Sequence, residues 1–376
     1  MKSKNMSNHE MYMRKVLELA TFTAQQTLPN PQVAAILVNA GKIVGIGCHL
    51  RSGEPHAEIY ALAQAQSRAR GAILYINLEP CCHCGKTGPC CEALIAAGVS
   101  EVYIANLDPN PLVAGKGVAR LKAAGIKVHY GLLAKEAWSI NRIFFHNIVN
   151  REPFVTIKVA MSMDGKIATK ENLSQWISNL SCRKDAHAYR AAHDAILVGV
   201  NTVISDNPSL TPYLIEDTTY SPIRIILDRQ LRTPLSAKLI TDASTPTWIC
   251  TSNNEQQSWQ PYLAVGVKIL YFPQLEIPQL LQRLYQENIY SLMVEGGEGI
   301  YSSFLDAKAV NQLVIYYSPQ LIGSRDAKHF YSGAGFADLN SNLKLELASS
   351  ENLDGNLKVV LHSQPVAAEN IYLSAE

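Results

Sequence analysis

Cysteines crowd one short stretch of this chain. Of the eight in its 376 residues, Cys81, Cys82, Cys84, Cys90 and Cys91 fall close together. A disulfide framework spreads its cysteines so that they tie distant loops, and neighbours in one loop cannot do that. Crowding of this kind points to metal binding or catalysis. The length suits two domains, each large enough to bury its own core. Apolar residues at 47% and charged residues at 17% exclude disorder as the dominant state. With 33 basic against 32 acidic side chains the net charge is +1, so the chain lacks the basic field that grips nucleic acid through phosphates. A small-molecule partner is expected, and no nucleic acid. No apolar run reaches the roughly 18 residues that cross a bilayer, and Met1 to Asn5 lead into a polar stretch rather than a signal-peptide core. The expectation is a cytoplasmic protein with no membrane partner.

Apolar periodicity predicts an α/β layer structure in two series. In the first, a helix over Met11–Ala24 precedes strands at Val33–Val38 and Ile43–Gly47, joined by the turn Ala40-Gly41-Lys42. Helices at His56–Ser67, Cys90–Ala97, Lys116–Ala124 and Ala134–Asn150 then alternate with strands at Ala72–Asn77, Glu101–Ala105 and Ile126–His129. Arg151-Glu152-Pro153 breaks the last helix, because proline disfavours helix in the residue before it. The domain boundary is placed there, giving residues 1–150 and 151–376. The second series has strands at Phe154–Ala160, Ala195–Val200, Ile223–Leu227, Thr247–Thr251, Val267–Tyr271, Ser291–Val294 and Gln312–Tyr317, with a helix at Cys182–His193 and another after a glycine-rich turn.

His56-Ala57-Glu58 is followed by Glu79-Pro80-Cys81, then Cys84 and Cys90. One histidine and two cysteines can hold zinc with its fourth position open to water, and a nearby glutamate that is not a ligand can move protons, as zinc deaminases require. His-x-Glu alone recurs by chance; joined to Pro-Cys at a strand end and a cysteine opening a helix, it is specific. A closed structural zinc site of Cys81, Cys84, Cys90 or Cys91 is the competing reading, and it leaves Glu58 idle. Residues two apart on a regular helix point to nearly opposite sides, so His56 and Glu58 must sit where the helix begins.

Taken together, Pro29-Asn30-Pro31-Gln32-Val33, Gly47-Cys48-His49, Gly53 to Glu58, Leu78-Glu79-Pro80-Cys81, Gly85 to Cys91 and Asp108-Pro109-Asn110-Pro111 resemble the bacterial bifunctional riboflavin-biosynthesis deaminase/reductase family. The resemblance continues through Ser162 to Lys166, Ser174-Gln175-Trp176-Ile177, Asp206-Asn207-Pro208 and Val294-Glu295-Gly296-Gly297. It implies a cytidine-deaminase-like N-terminal domain and a dihydrofolate-reductase-like C-terminal domain. The implied chemistry is zinc-dependent removal of the 2-amino group of a diaminopyrimidinone carrying phosphoribose, then NADPH reduction of the ribosyl chain to ribityl. By motif position His56, Cys81 and Cys90 would hold zinc and Glu58 would shuttle protons, with Asn30, His49, Lys86 and Asn110 around the pyrimidine and its phosphate. The expected partners are that phosphorylated pyrimidine and further copies of the chain in a homo-oligomer.

The second half carries no G-x-G-x-x-G after an early strand, so the Rossmann fingerprint is missing. Val294 to Gly299 does end a strand and open a helix, where glycines let backbone amides approach a pyrophosphate. The resemblance implies that Gly297, Glu298, Gly299, Ile300, Tyr301, Ser302 and Ser303 hold NADPH, together with Ala160, Trp176, Thr202 and Asp206. It places Ser174, Arg190, Leu210 and Glu295 at the substrate, with Lys158 in the same cleft. Three positions depart from the family pattern: Ala34 stands where glycine is frequent, Cys84 where histidine or another residue is frequent, and Tyr213 where arginine is frequent. A deaminase acting on nucleic acid would use the same zinc set, but it leaves the second half without a task.

Overall fold

The computed structural model describes residues 8–24, 26–82, 88–111, 113–215, 220–338, 340 and 342–363. They divide into two compact units, one ending at Arg151 and one starting at Glu152.

In the first unit, α1 (Asn8–Thr21) precedes the hairpin β1 (Ala34–Asn39) and β2 (Lys42–Cys48). Next come α2 (Ala57–Ala65), β3 (Ile73–Leu78), α3 (Cys90–Ala96), β4 (Glu101–Asn106), α4 (Lys116–Ala123), β5 (Lys127–Tyr130) and α5 (Ala134–Asn150). The sheet runs β2-β1-β3-β4-β5, with β1 antiparallel to both neighbours and β3, β4 and β5 parallel. Ala40 and Gly41 both have positive φ, the backbone a two-residue hairpin turn needs. β1 is apolar almost throughout because both its faces are covered. Ala35 and Leu37 join the core that includes α2, α3 and α4, while Ala34, Ile36 and Val38 pack with Met13, Val16 and Ala20 of α1. Helix α2 lies unusually close to the sheet. Its contact stripe is Ala57, Ala61 and Ala65, and a Cβ at Gly45 or Gly47 of β2 would overlap the Ala61 or Ala57 carbonyl oxygen.

The second unit begins with β6 (Phe154–Ser162), α6 (Leu180–Ala191), β7 (Ala195–Gly199), α7 (Val200–Asp206), β8 (Ile223–Leu227), α8 (Lys238–Thr241) and β9 (Thr247–Thr251). It continues through α9 (Gln256–Leu263), β10 (Lys268–Tyr271), α10 (Ile277–Gln286), β11 (Ser291–Val294), α11 (Glu298–Asp306), β12 (Gln312–Ser318), β13 (Leu345–Leu353) and β14 (Asn356–Ser363). The sheet order is β10-β9-β8-β7-β11-β6-β12-β14-β13. It is parallel from β10 to β12, and β14 and β13 close it antiparallel. Along β7 the side chains alternate between cores, Ala195 and Leu197 into one, Ile196 and Val198 into the other. The Asn179 side chain caps α6 by accepting the Cys182 N–H at 2.9 Å.

Several elements differ from the sequence expectation. The strand expected at Ala195–Val200 stops at Gly199, and Val200 opens α7 instead. The hairpin β13–β14 carries no sequence forecast: β13 is exposed along nearly all its length, so no core-facing alternation marks it. Among the described residues no helix is long and apolar enough to cross a membrane.

Candidate active sites

The first site forms where three chain segments meet. β3 delivers Cys81 beside the first turn of α3, which starts at Cys90, and His56 stands immediately before α2. His56 Nδ1 lies 3.5 Å from Cys81 Sγ and 3.3 Å from Cys90 Sγ. All three donor atoms fall within 4.8 Å of one another. A tetrahedral zinc with bonds of roughly 2.0–2.1 Å to nitrogen and 2.3 Å to sulfur places such donors about 3.5 Å apart, so this set fits zinc. The Cys90 N–H donates to Cys81 Sγ at 3.4 Å. Cys81 is held well below the ordinary thiol value, chiefly by its hydrogen bond from the Cys90 thiol. The same sharing raises Cys90.

The helix-start geometry explains how two residues so close in sequence serve one site. His56 has extended backbone, φ −75° and ψ 163°, and Glu58 lies in the first turn of α2. Glu58 is only 3% exposed, and burial pushes its carboxyl up to about 7. It is not a member of the donor set.

Asn30 and His49 line up behind His56. Asn30 Nδ2 meets His49 Nε2 at 3.0 Å, His49 Nδ1 meets the Pro55 carbonyl at 3.2 Å, and the His49 and His56 rings stand edge to face at 5.4 Å. Asn110 lies in the turn after β4, its N–H donating to Asp108 Oδ1 at 2.8 Å. Lys86 and Cys84 lie outside the described residues. Ala34 is fully buried on β1, and its N–H donates to Asn77 Oδ1 at 2.9 Å.

Sequence reasoning passed over the residues that shape these loops. The buried Glu79 carboxylate accepts the N–H groups of Asp108, Gly115 and Val118 at 3.2, 2.9 and 3.0 Å, which pins the Asn110 loop to the end of β3. Asn77 and Asn141 together satisfy both backbone polar groups of Gln32, fixing the Asn30 loop. Glu79 stood within the motif, but motif position alone does not reveal a loop staple. Asn141 had no signal, since its role depends on α5 returning to the segment that leads into β1.

The second site is a cleft of about 1770 Å³ within the second unit. Its central polar group is a buried triad. The Arg190 guanidinium forks onto Glu295, Nε to Oε1 at 2.7 Å and Nη2 to Oε2 at 2.9 Å, while Lys158 Nζ reaches Oε2 at 3.4 Å. Burial alone would raise the Glu295 carboxyl, but Arg190 and then Lys158 hold it well below the usual carboxylate range. Beside them His187 is lowered to about 4 by burial and by Arg190, so it is neutral at pH 7. Tyr213 stands edge to face on His187 at 4.5 Å and is 63% exposed. Arg190 and Lys158, the cations of this cluster, are both engaged with Glu295.

Ser174, Trp176 and Ala160 border the same cleft, as do Thr202 and Asp206 of α7. Leu210 borders it with its side chain packed in the α7 core. The turn from β11 into α11 contributes Gly297, Glu298, Gly299, Ile300, Tyr301 and Ser303. Gly199 and Gly296 leave the room that Ile300 fills, and no atom would oppose a Cβ at Gly297 or Gly299, so that edge is open. Ser302 is the departure: helical spacing turns it away from the cleft, where it is buried and accepts the Ser332 N–H at 3.0 Å. The Tyr301 hydroxyl is likewise engaged, donating to the Lys158 carbonyl at 2.8 Å. An open cleft with a glycine turn leading into a helix N-terminus fits a dinucleotide.

The family described as the RibD C-terminal domain matches residues 153–359, and the cytidine and deoxycytidylate deaminase zinc-binding region matches residues 6–106. The riboflavin biosynthesis protein RibD of Bacillus amyloliquefaciens is 42% identical over 353 residues, covering 93% of this chain and 95% of that protein. The protein of the same name from Aquifex aeolicus is 40% identical, covering 93% and 96%. Among solved structures, Acinetobacter baumannii RibD superposes with a TM-score of 0.84 at 34% identity, over 95% of this chain and 99% of that one. The diaminohydroxyphosphoribosylaminopyrimidine deaminase/5-amino-6-(5-phosphoribosylamino)uracil reductase of Thermotoga maritima gives 0.83 at 31%, with the same coverage. Both α/β folds implied by the sequence motifs are those of this group. Identity that runs through both units, with matched regions that contain the His56 centre and the Arg190–Glu295 cleft, leads to one conclusion: the chain belongs to the RibD family of riboflavin-biosynthesis proteins.

Proposed function

We propose that this chain performs two consecutive steps of riboflavin synthesis, one in each unit. The first hydrolyses the 2-amino group from 2,5-diamino-6-(5-phosphoribosylamino)pyrimidin-4-one. The second reduces the ribosyl side chain with NADPH to give 5-amino-6-(5-phosphoribitylamino)uracil. The observation that carries the reading is the convergence of His56, Cys81 and Cys90 beside a buried glutamate outside the donor set.

His56, Cys81 and Cys90 would hold zinc, which would supply a water acidified enough to act as hydroxide near neutral pH. Glu58, with its carboxyl near 7, accepts a proton from water and returns it to the departing amino group, which leaves as ammonia. Asn30 and His49, joined as a hydrogen-bonded pair, and Asn110 surround the pyrimidine and its phosphate in this reading, and Lys86, expected with them, lies outside the described residues. In the second unit NADPH supplies the hydride, and the protein's contribution is placement. The α11 turn and Trp176 hold the cofactor, while Glu295, fixed by Arg190 and Lys158, faces the pyrimidine with Ser174 and Leu210 alongside.

A homo-oligomer in the cytoplasm completes the reading. Free cysteines at every described position support a reducing compartment, and the outer edge of β13, where Leu347 is 65% exposed, supports self-association. Light scattering on the purified protein tests the assembly. For the reactions, zinc content, ammonia and NADPH are measured on one preparation. Bound zinc without ammonia release would favour a nucleotide-binding module instead.

A further inference from the structure

The motif Ser162-Met163-Asp164-Gly165-Lys166 is left without a task by the chemistry proposed above. It closes a tight turn at the end of β6. Gly165 has φ +75°, its N–H donates to the Ser162 carbonyl at 3.0 Å, and the Ser162 hydroxyl accepts the Lys166 N–H at 3.0 Å. The turn sends two charged side chains to different parts of one segment, residues 319–332, which follows β12. Asp164 holds the near part: its carboxylate accepts the N–H groups of Ile322 at 3.1 Å and Gly323 at 2.8 Å. Those bonds add to a shorter one from the Ser162 hydroxyl, at 2.6 Å, and together they hold the Asp164 carboxyl down to about 2. Lys166 holds the far part. It is 6% exposed, and its ammonium meets the Ala327 carbonyl at 3.5 Å and His329 Nε2 at 2.5 Å, with no carboxylate in ion-pair reach among the described residues. An ammonium only donates, so carbonyl and ring nitrogen both accept from it.

Held in this way, segment 319–332 reaches the cleft wall at two separate places. At its start the Gln320 side-chain amide donates to the Ile177 carbonyl at 3.1 Å, one residue from Trp176. Trp176 is 62% exposed with the Arg183 guanidinium over its ring, so little apolar packing fixes it and its main chain must. At its end the His329 N–H donates to Glu298 Oε1 at 3.3 Å, Lys328 Nζ lies 3.9 Å from Glu298 Oε2, and the Ser332 N–H donates to the Ser302 hydroxyl at 3.0 Å. Glu298 and Ser302 belong to the first turns of α11. One segment therefore spaces the Trp176 wall from the α11 turn, the two pieces of the cleft that the reductase reading gives to the cofactor. A misplacement of about 1 Å in such a supporting shell is enough to cost binding.

We infer that Asp164 and Lys166 are positioning residues for the dinucleotide: by clasping segment 319–332 they set the spacing between Trp176 and the α11 turn, and with it the affinity for NADPH. Neither side chain lines the cleft, so both act through the residues that do. The inference rests on the reading of the second unit as the reductase. Wild type, Lys166→Met, Lys166→Arg, Asp164→Ala and Gln320→Ala are titrated with NADPH, following nicotinamide fluorescence, which reads binding without turnover. KM is then measured for NADPH and for 5-amino-6-(5-phosphoribosylamino)uracil.

Lys166→Met keeps the apolar stem and loses the ammonium, and the lost charged bonds raise Kd and KM for NADPH about tenfold. Lys166→Arg, which keeps the charge, recovers part of that loss. Asp164→Ala and Gln320→Ala, at exposed positions, raise both constants about fivefold, the size of a neutral bond. KM for the pyrimidine stays within about twofold of wild type throughout, and ammonia release by the first unit is unchanged. Wild-type affinity for NADPH in Lys166→Met and Gln320→Ala would overturn the inference. Equal weakening of NADPH and pyrimidine would also overturn it, since that marks a merely structural role. If Lys166→Met does not fold, the two exposed variants decide by the same criteria. A wild type that binds no NADPH overturns the reductase reading itself, a result distinct from wild-type binding that the variants leave unmoved.

Discussion

Replacing Glu295 by glutamine keeps the shape of the side chain and removes its charge. The Arg190, Lys158 and Glu295 side chains are 13%, 17% and 11% exposed, so the variant leaves two mostly buried cations without their shared anion. Removing one partner of such a pair costs about 3–5 kcal/mol, more than its net worth, because the uncompensated charge stays buried. The sign of the pH dependence follows from the lowered carboxyl. Ionised Glu295 stabilises the fold above the ordinary carboxylate value of about 4.3, and that contribution is lost as pH falls toward the folded value. One pH unit corresponds to about 1.4 kcal/mol, so the gap between wild type and Glu295→Gln narrows by roughly 1 kcal/mol between pH 7 and pH 3.5. Urea unfolding in a Trp138→Phe background makes tryptophan fluorescence report on Trp176, Trp248 and Trp259 of the second unit alone. A destabilisation below 1 kcal/mol at pH 7, or a gap unchanged at pH 3.5, would refute this electrostatic reasoning.

Glu58→Ala stops ammonia release, with a loss of at least 10² to 10⁴ in rate, yet keeps bound zinc and still reduces the deaminated intermediate when it is supplied. Loss of zinc in that variant would make Glu58 a ligand. Cys90→Ser loses most of its zinc and all deamination by metal analysis and ammonia assay, whereas Cys84→Ser retains both; the opposite pattern would reassign the ligand. Gly47→Ala forces α2 away from β2, lowering first-unit stability by about 1–3 kcal/mol and deamination with it, while NADPH oxidation with supplied intermediate holds. An unchanged melting temperature would mean the helix has room to shift.

The sheet strands facing two cores were legible because their residues had no polar side to show, as in Ala34 to Val38 and Ala195 to Val198. The helix start at His56 was legible for a different reason: the chemistry demanded it, since only a break in helical geometry lets His56 and Glu58 share a site. Hidden were features set by tertiary contact. β13 buries too little to leave a pattern, Ser302 could not be told from its neighbours until helical phase was known, and Glu79 and Asn141 act on loops brought to them by the fold. The engagement of Arg190 and Lys158 with Glu295 was equally invisible, because strand β6, helix α6 and the end of β11 meet only in three dimensions.

One assay bears on the whole scheme. Purified protein is given the diaminopyrimidinone phosphate and NADPH, and ammonia and NADPH absorbance are followed in the same cuvette. Ammonia should appear first and NADPH should then be consumed in equal amount, with both signals abolished when zinc is chelated and only the second restored by adding the deaminated intermediate. Ammonia release with no NADPH consumption, or zinc-bound protein that yields neither signal, would contradict a two-step deaminase and reductase.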